Sequence, residues 1–261
     1  MAKTLSGLTP EREQRITELL LIRNSRTAEA RFKSEISRAM VGFGDAYGDD
    51  IKTAEVDRKH REAVLSLLRQ IYSQAFNQFG RRMLNGFKKY DPRESVKALD
   101  VYEQAFRRYL IVFGATKVGQ IAGTTQEQAQ TIITNSVNQG LEDGLGEAEI
   151  AALITAEVKK QAGVISSFRA KTIARTESHS AAMTSNQVAA QSTGLDLKKQ
   201  WVSSRGERTR PDHREANGQV VGMDENFIVG GEPLFIPGDP SGSAAQIINC
   251  RCVQTYVLPD N

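Results

Sequence analysis

The stretch VDRKHREAVLSLLRQIYSQAFNQF (residues 56–79) carries the strongest helical pattern of this 261-residue sequence. Its apolar side chains recur at intervals of three and four residues: Val56, Ala63, Val64, Leu67, Leu68, Ile71, Ala75 and Phe79. This spacing lines them up along one face of an α-helix. The stretch therefore predicts a long amphipathic helix, which Asp49 or Asp50 can cap.

Upstream of this stretch, a first helix is predicted from Thr9, with Pro10 at its first position. The glycines Gly42, Gly44 and Gly48 mark its end. Its apolar positions form a broken stripe among many charges: Ile16, Leu19, Leu20, Phe32, Ile36 and Met40. A helix of this kind needs a partner, so we expect the N-terminal helices to associate with another protein or with a second copy of the chain.

Downstream, Asp91-Pro92-Arg93-Glu94 combines a capping residue, a proline and an early glutamate, which predicts the start of a third helix. Three glycines within residues 114–123 predict a bend, and Gly140, Gly144 and Gly146 predict a stop. We then expect a short helix over residues 147–160 that ends near Gly163. Another helix is expected from Ser166 or Ser167 to Gly194.

After Gly194 the pattern changes to short apolar runs separated by Pro, Gly and Asp. These runs lie at residues 200–202, 219–221, 227–229, 234–236 and 247–258, as in a small sheet with loops. The predicted fold is mainly α, with a long helical N-terminal region followed by a small α+β C-terminal domain with short strands. We place the domains at residues 1–163 and 164–261.

The composition is that of a folded protein, with 39% hydrophobic and 25% charged residues. The net charge of +3 comes from the part before residue 165, which has 24 basic against 21 acidic residues, while the rest has 10 of each. No run approaches the roughly 20 apolar residues of a membrane helix, and no signal peptide is evident. We expect a soluble protein without membrane contact that starts in the cytoplasm, where two cysteines stay reduced.

The two cysteines, Cys250 and Cys252, stand two residues apart and would share one face of a strand. Two thiolates on one face could bind a structural zinc, with His213 as the third ligand and His179 or Asp212 as the fourth. The alternative is a pair of packed, reduced thiols, since C-x-C without a second cysteine pair is a weak pattern.

Catalytic motifs are missing from the sequence: it has no G-x-S-x-G, phosphate loop, H-E-x-x-H or paired-carboxylate site. We assign no catalytic residue and expect a protein that is not an enzyme. A metal-dependent hydrolase or nuclease that uses Glu177, His179, Asp212 and His213 remains an alternative.

Basic residues interleaved with aromatics make residues 69–93 a candidate contact for nucleic acid. The predicted DNA-binding residues are Arg81, Arg82, Lys88, Lys89 and Arg93. Residues 198–214 form a second basic stretch. Either could bind phosphates without reading sequence, and the alternative is a helix core with solvated charges.

The last third of the chain contains an ordered set of motifs. It comprises Ala174-Arg175-Thr176-Glu177, Trp201, Arg208-x-Arg210-x-x-His213, Gly218, Phe227, Pro237-Gly238-Asp239-Pro240 and Asn249-Cys250-Arg251-Cys252. In this order the motifs resemble the phage Mu F-like family of head morphogenesis proteins, over about residues 165–258. One departure is Gly206-Glu207, where the family often carries an Asp before its Arg-x-Arg.

The resemblance implies a minor virion protein that lies in the head interior or near the portal, and in the host cytoplasm during assembly. Its implied partners are the portal and major capsid proteins and double-stranded phage DNA, which it would bind nonspecifically. From the residues themselves, Arg175 or Glu177 could form an ion pair with the His213 loop, and the alternative is two solvated charges. Arg251 could pair with Glu177 or Asp239, or be a surface arginine beside the last strand. We expect no fused toxin domain. The implied structural residues are Arg175, Glu177, Trp201, Arg210, His213, Gly218, Pro237, Asp239, Asn249 and Arg251.

Overall fold

The computed structural model of the protein describes residues 8–87 and 94–258, with side chains outside residues 87–100. As predicted, long helices come first: α1 (Pro10–Asp45), α2 (Asp50–Ala75), a π-helical turn (Phe76–Gly80), α3 (Arg81–Phe87), α4 (Glu94–Glu142) and α5 (Glu147–Gln191). Short elements follow: β1 (Lys198–Val202), α6 (Pro211–Glu215), β2 (Val220–Gly222), β3 (Phe227–Val229), β4 (Glu232–Leu234), α7 (Ala244–Ile247) and β5 (Val253–Val257). The predicted fold class is confirmed.

Two compact units emerge from the contacts within the chain. The first consists of Met1–Ser25, Ile71–Ile111 and Arg175–Asn261. The second consists of Arg26–Gln70 and Val112–Ala174, and we call it the helical unit. The predicted domain boundary between residues 163 and 164 falls within α5 and stays a prediction.

Apolar side chains fill the interior of the helical unit. Phe32, Ile36 and Met40 of α1 are fully buried, as are Val64 and Leu68 of α2. Two glycines allow close helix contacts: a Cβ at Gly44 would lie 3.2 Å from Val158, and one at Gly140 would lie 2.6 Å from Ile150. The helical face predicted for residues 56–68 is therefore a core face.

The bend predicted at residues 114–123 and the end of a helix predicted near Gly163 are both wrong. Helix α4 continues through Gly114, Gly119 and Gly123, and α5 continues through Gly163 and Ser166. A glycine in a helix costs only about 0.5–1 kcal/mol relative to alanine, and tertiary packing exceeds this cost in helices of 49 and 45 residues. The predicted stop between α4 and α5 is confirmed, with Gly144 at φ 70°.

The residues from 198 to 257, which we call the strand module, contain all strands of the described chain. Strand β1 pairs antiparallel with β2 and with β5, so that Trp201 lies opposite Gln254. Strands β3 and β4 form a hairpin closed by Gly230 and Gly231, whose φ angles of 57° and 78° suit a two-residue turn.

The apolar core of the strand module surrounds Trp201, which is fully buried. Its neighbours in the cluster are Ala216, Phe227, Val229, Leu234, Cys250 and Cys252. The Trp201 ring meets Phe227 and His213 edge to face, at 5.3 and 5.6 Å between centroids. The core therefore fixes the surroundings of both cysteines and the histidine.

Among the described residues, no helix has an apolar segment of the length and hydropathy that a bilayer crossing requires.

Candidate functional site

The part of α5 that begins at Thr176 contacts the C-terminal segment through a row of polar side chains. Thr176 accepts a hydrogen bond from the backbone N–H of Asn249 at 3.2 Å. His179 Nε2 lies 2.7 Å from the carbonyl oxygen of Cys252, and Ser180 donates to the carbonyl of Gly238 at 2.6 Å. This row attaches two separate loops to one helix.

The turn Pro237-Gly238-Asp239-Pro240 is closed by the buried carboxylate of Asp239. It accepts hydrogen bonds from the backbone N–H groups of Phe235 and Ser241, at 2.8 and 2.9 Å, and from the Ser241 hydroxyl at 2.6 Å. Gly238 has φ 74°, and a Cβ there would lie 2.5 Å from His179 Nδ1. The turn thus requires glycine for its conformation and for its contact with α5.

Cys250, Cys252 and His213 meet in the interior of the strand module. His213 Nδ1 lies 3.3 Å from the Cys252 sulfur and 3.7 Å from the Cys250 sulfur. One ligand atom from each residue lies within 4.8 Å of the others, and all three residues are buried. Their predicted convergence is confirmed, and we call these residues the thiol–histidine cluster.

Helix α6 holds His213 in place, with Pro211 at its first turn and Asp212 beside it. On the far side of the ring, His213 Nε2 lies 2.9 Å from Gln246 Oε1 on α7. The Gln246 amide nitrogen in turn faces the Asp212 carboxylate at 3.4 Å. Asp212, predicted as a possible fourth ligand, therefore contacts Gln246 instead.

The two thiols differ in acidity. A hydrogen bond from the Cys250 thiol and the nearby His213 ring lower the pKa of Cys252, while that same hydrogen bond and burial raise the pKa of Cys250. Burial also lowers the pKa of His179. His179, the other residue predicted as a possible fourth ligand, contacts the Cys252 carbonyl and not its sulfur.

The Asn-Cys-Arg-Cys segment leaves α7 in a sharp turn. Asn249 has φ 57°, a left-handed conformation that asparagine tolerates better than most residues. Arg210 donates to the carbonyl oxygen of Ile248 at 2.5 Å. Arg251 forms a 3.4 Å ion pair with Glu18 of α1, a partner that the sequence did not indicate.

Glu177 is not a member of the thiol–histidine cluster. Its carboxylate accepts a 2.7 Å hydrogen bond from the hydroxyl of Tyr72, and both residues are buried. Burial and the nearby carboxylate raise the pKa of Tyr72. This contact does not bring Glu177 to the cluster, so the geometry gives no support to a hydrolytic site built on Glu177 and His213 together.

A cavity of about 760 Å³ opens beside the cluster. The cluster residues line one part of it, and four arginines line another: Arg175, Arg208, Arg210 and Arg251. The acidic residue Glu207 also lines the cavity. Because four guanidinium groups outnumber this one carboxylate, and because arginine binds oxyanions in a bidentate manner, the cavity is suited to an anion. We call it the arginine-lined cavity.

Two of the predicted DNA-binding residues, Arg81 and Arg82, lie in another part of the first unit. Arg81 and Arg82 are exposed at the start of α3, and Arg81 lies 3.9 Å from Glu103. Lys88, Lys89 and Arg93 lie outside the described residues. Their role as DNA ligands stays a prediction.

Sequence patterns missed several members of the site: Tyr72, Ser180 and Gln246. Each makes its contact with a residue between 33 and 105 positions away. Only the turn signal at Pro237-Gly238 could have directed attention to its neighbour Ser180.

Residues 131–255 match the family model described as Phage Mu protein F like protein. The chain is 29% identical over 171 residues to the minor head protein GP7 of Bacillus phage SPP1. The aligned region covers 63% of this chain and 51% of that protein. The chain is 33% identical over 135 residues to an NAD(+)–arginine ADP-ribosyltransferase of Enterococcus faecalis, which covers 51% of this chain and 26% of that protein. An uncharacterized Bacillus subtilis protein is 27% identical over 138 residues, 51% of this chain and 42% of that protein.

The chain therefore spans between a quarter and about half of the length of these relatives. No solved structure matches it.

Proposed function

Because residues 131–255 of this chain belong to the phage Mu protein F like family, we propose that the protein is a minor head component of a tailed phage. It would act in head assembly at the portal or the inner capsid surface, with the portal and major capsid proteins as partners. The observation that carries the proposal is the similarity to a minor head protein over 63% of the chain, which includes residues before the family match.

The contacts of the motif residues support a structural role. Thr176, Asp239 and Asn249 hold turns and loops, and Trp201 fills the core. The similarity to the ADP-ribosyltransferase covers 26% of that protein and carries no activity to this chain. We propose a protein that is not an enzyme.

The composition of purified heads tests this function. Proheads and mature virions of the phage that encodes the chain would be separated by density centrifugation and washed at high salt, and their proteins quantified by mass spectrometry. We expect the chain in one or both particles at a constant, low ratio to the major capsid protein. Its absence from both, with the major capsid protein present, would contradict the proposal.

We also propose that the basic residues near α3 contact double-stranded DNA without sequence preference. Arg81 and Arg82 are exposed, and Lys88, Lys89 and Arg93 follow within twelve positions. Phosphate contacts of this kind release counterions, so the affinity must fall steeply with salt.

Fluorescence anisotropy with a labelled DNA duplex at several salt concentrations measures this binding. Neutralising Arg81, Arg82, Lys88, Lys89 and Arg93 to Gln should weaken binding and flatten its salt dependence. The matched control removes five basic residues that already pair with carboxylates three or four positions away in the sequence: Lys52, Arg58, Lys59, Arg61 and Lys160. Equal losses in both variants, or no binding by the wild type at low salt, would rule out this DNA contact.

A further inference from the structure

The orientation of the His213 ring carries an inference that is independent of the proposed head function. Its Nδ1 atom faces two sulfurs at once, at 3.3 and 3.7 Å. A neutral ring nitrogen without a proton has one lone pair and can accept from one thiol only. The Cys250 thiol can donate to Cys252 instead, so hydrogen bonds alone would satisfy the three groups. One metal ion bound by all three ligand atoms, which lie within 4.8 Å of one another, accounts for the same arrangement.

The hydrogen bond at Nε2 determines which nitrogen of the His213 ring carries the proton. Gln246 directs its amide nitrogen to the Asp212 carboxylate, so its oxygen is the atom that meets His213 Nε2 at 2.9 Å. An amide oxygen only accepts, so Nε2 carries the proton and Nδ1 is free to donate its lone pair. This is how ligand histidines in metalloproteins are oriented, by a hydrogen bond from the ring nitrogen that does not bind the metal.

We propose that His213 Nδ1 and the thiolates of Cys250 and Cys252 bind one Zn²⁺ ion. Two thiolates and an imidazole form a ligand set that zinc prefers, at about 2.0–2.3 Å from the metal. On binding, each thiol releases its proton to solvent, and both sulfurs coordinate the ion.

The fourth coordination position faces the arginine-lined cavity. Among the described residues, the group of possible ligands contains three members, and all three line this cavity. A zinc ion with three protein ligands keeps a position for water or another ligand. Since Arg175, Arg208 and Arg210 line the same cavity, that ligand can be an anion.

Metal content of the full chain tests the site directly. The protein would be expressed with added zinc, purified under reducing conditions and measured by elemental mass spectrometry, and then titrated with Co²⁺ after zinc removal. We expect about one zinc per chain and, with Co²⁺, the absorption bands of thiolate-to-metal charge transfer. A folded wild-type protein that retains no zinc and gives no such bands with Co²⁺ would overturn the proposal.

Substitutions locate the ligands. His213→Ala, Cys250→Ser and Cys252→Ser should each lose stoichiometric binding. His60→Asn is the matched control, because His60 is equally buried but lies in the helical unit and pairs with Glu35. Gln246→Leu should weaken zinc affinity about 10- to 100-fold, the usual effect of losing a partner of a ligand histidine. An unchanged zinc affinity in Gln246→Leu and His213→Ala would refute this assignment. Where a variant does not fold, the Co²⁺ spectrum of the wild type tests the site instead.

The open fourth coordination position of the metal can be tested separately. Adding azide to the Co²⁺-loaded wild type should shift its visible bands, because an anion replaces the water. Arg208→Gln should raise the azide concentration needed for half the shift, while Lys198→Gln, an exposed residue of β1, should leave it unchanged. A spectrum that azide does not change would show a closed, four-ligand site and overturn the open fourth position.

Discussion

The helical unit and the strand module are stabilised in different ways. In the helical unit, most of the buried side chains are aliphatic or aromatic, with Phe32, Ile36 and Met40 as examples. In the strand module, buried polar groups such as Lys199, His213 and Asp239 stand beside an apolar cluster that holds a single tryptophan. The stability of the helical unit therefore depends on side-chain volume, and that of the strand module on individual hydrogen bonds.

The largest effect is expected where the helical unit loses volume. Phe32→Ala removes a fully buried ring and should lower the free energy of unfolding by about 3–5 kcal/mol. Chemical denaturation followed by circular dichroism measures this change. Ile51→Ala, at a residue that is 83% exposed, should change it by less than about 0.5 kcal/mol. Similar losses in the two variants would refute the dependence on volume.

The second-largest loss of stability is expected where the strand module loses a buried polar group. Asp239→Ala takes the acceptor from two backbone N–H groups and a hydroxyl, so it should cost about 2–3 kcal/mol. The control Asp224→Ala removes an exposed carboxylate that accepts a hydrogen bond from the Gln191 side chain, and should change stability by less than about 0.5 kcal/mol. If Asp239→Ala is as mild as its control, the comparison between the two regions fails.

The same contrast explains how much of the structure could be predicted. The buried face with Val64 and Leu68 follows from helical spacing, because volume leaves a periodic signal. The glycines at 114–123 misled the prediction, since packing along a 49-residue helix outweighs their local preference.

In the candidate site, Cys250 and Cys252 meet as predicted, but the predicted reason is wrong: they do not share a strand face, because both lie in the irregular segment before β5. The role of Gln246 was not predictable, because its bond with His213 spans 33 positions and has no local pattern. The bond between Tyr72 and Glu177 spans 105 positions and is equally invisible in the sequence.

A smaller effect is expected from the Tyr72–Glu177 bond, which lies in the first unit outside the strand module. Tyr72→Phe keeps the ring and removes the donor to a buried carboxylate, so the free energy of unfolding should fall by about 1–2 kcal/mol. Tyr47→Phe, at a half-exposed ring, is the matched control. If the two variants are equally stable, polar contacts of α5 contribute little outside the module.

The smallest effect concerns Lys199, a buried residue of β1. Its ammonium group donates to the carbonyl of Phe235 at 2.8 Å and lies 3.6 Å from the centre of the Phe235 ring. Burial lowers the pKa of Lys199 to about 8, against 10.5 for an exposed lysine. At a pH between these two pKa values, Lys199 is protonated in the unfolded chain and deprotonated in the folded chain. The free energy of unfolding must therefore rise as the pH increases from about 8 towards 10.5.

Lys199→Met lacks this proton, so its stability should not share the rise. Denaturation of both chains at pH 7, 8, 9 and 9.5 gives the difference between them, in which the tyrosines common to both cancel. The gain of the wild type over the variant should stay modest, because the measurements end at pH 9.5, below the pKa of 10.5 of an exposed lysine. If the free energies of unfolding of the two chains change with pH in parallel, Lys199 keeps its proton over the whole pH range measured. The hydrogen bond and the aromatic ring would then outweigh the cost of burial, which places even more of the stability of the module in its polar contacts.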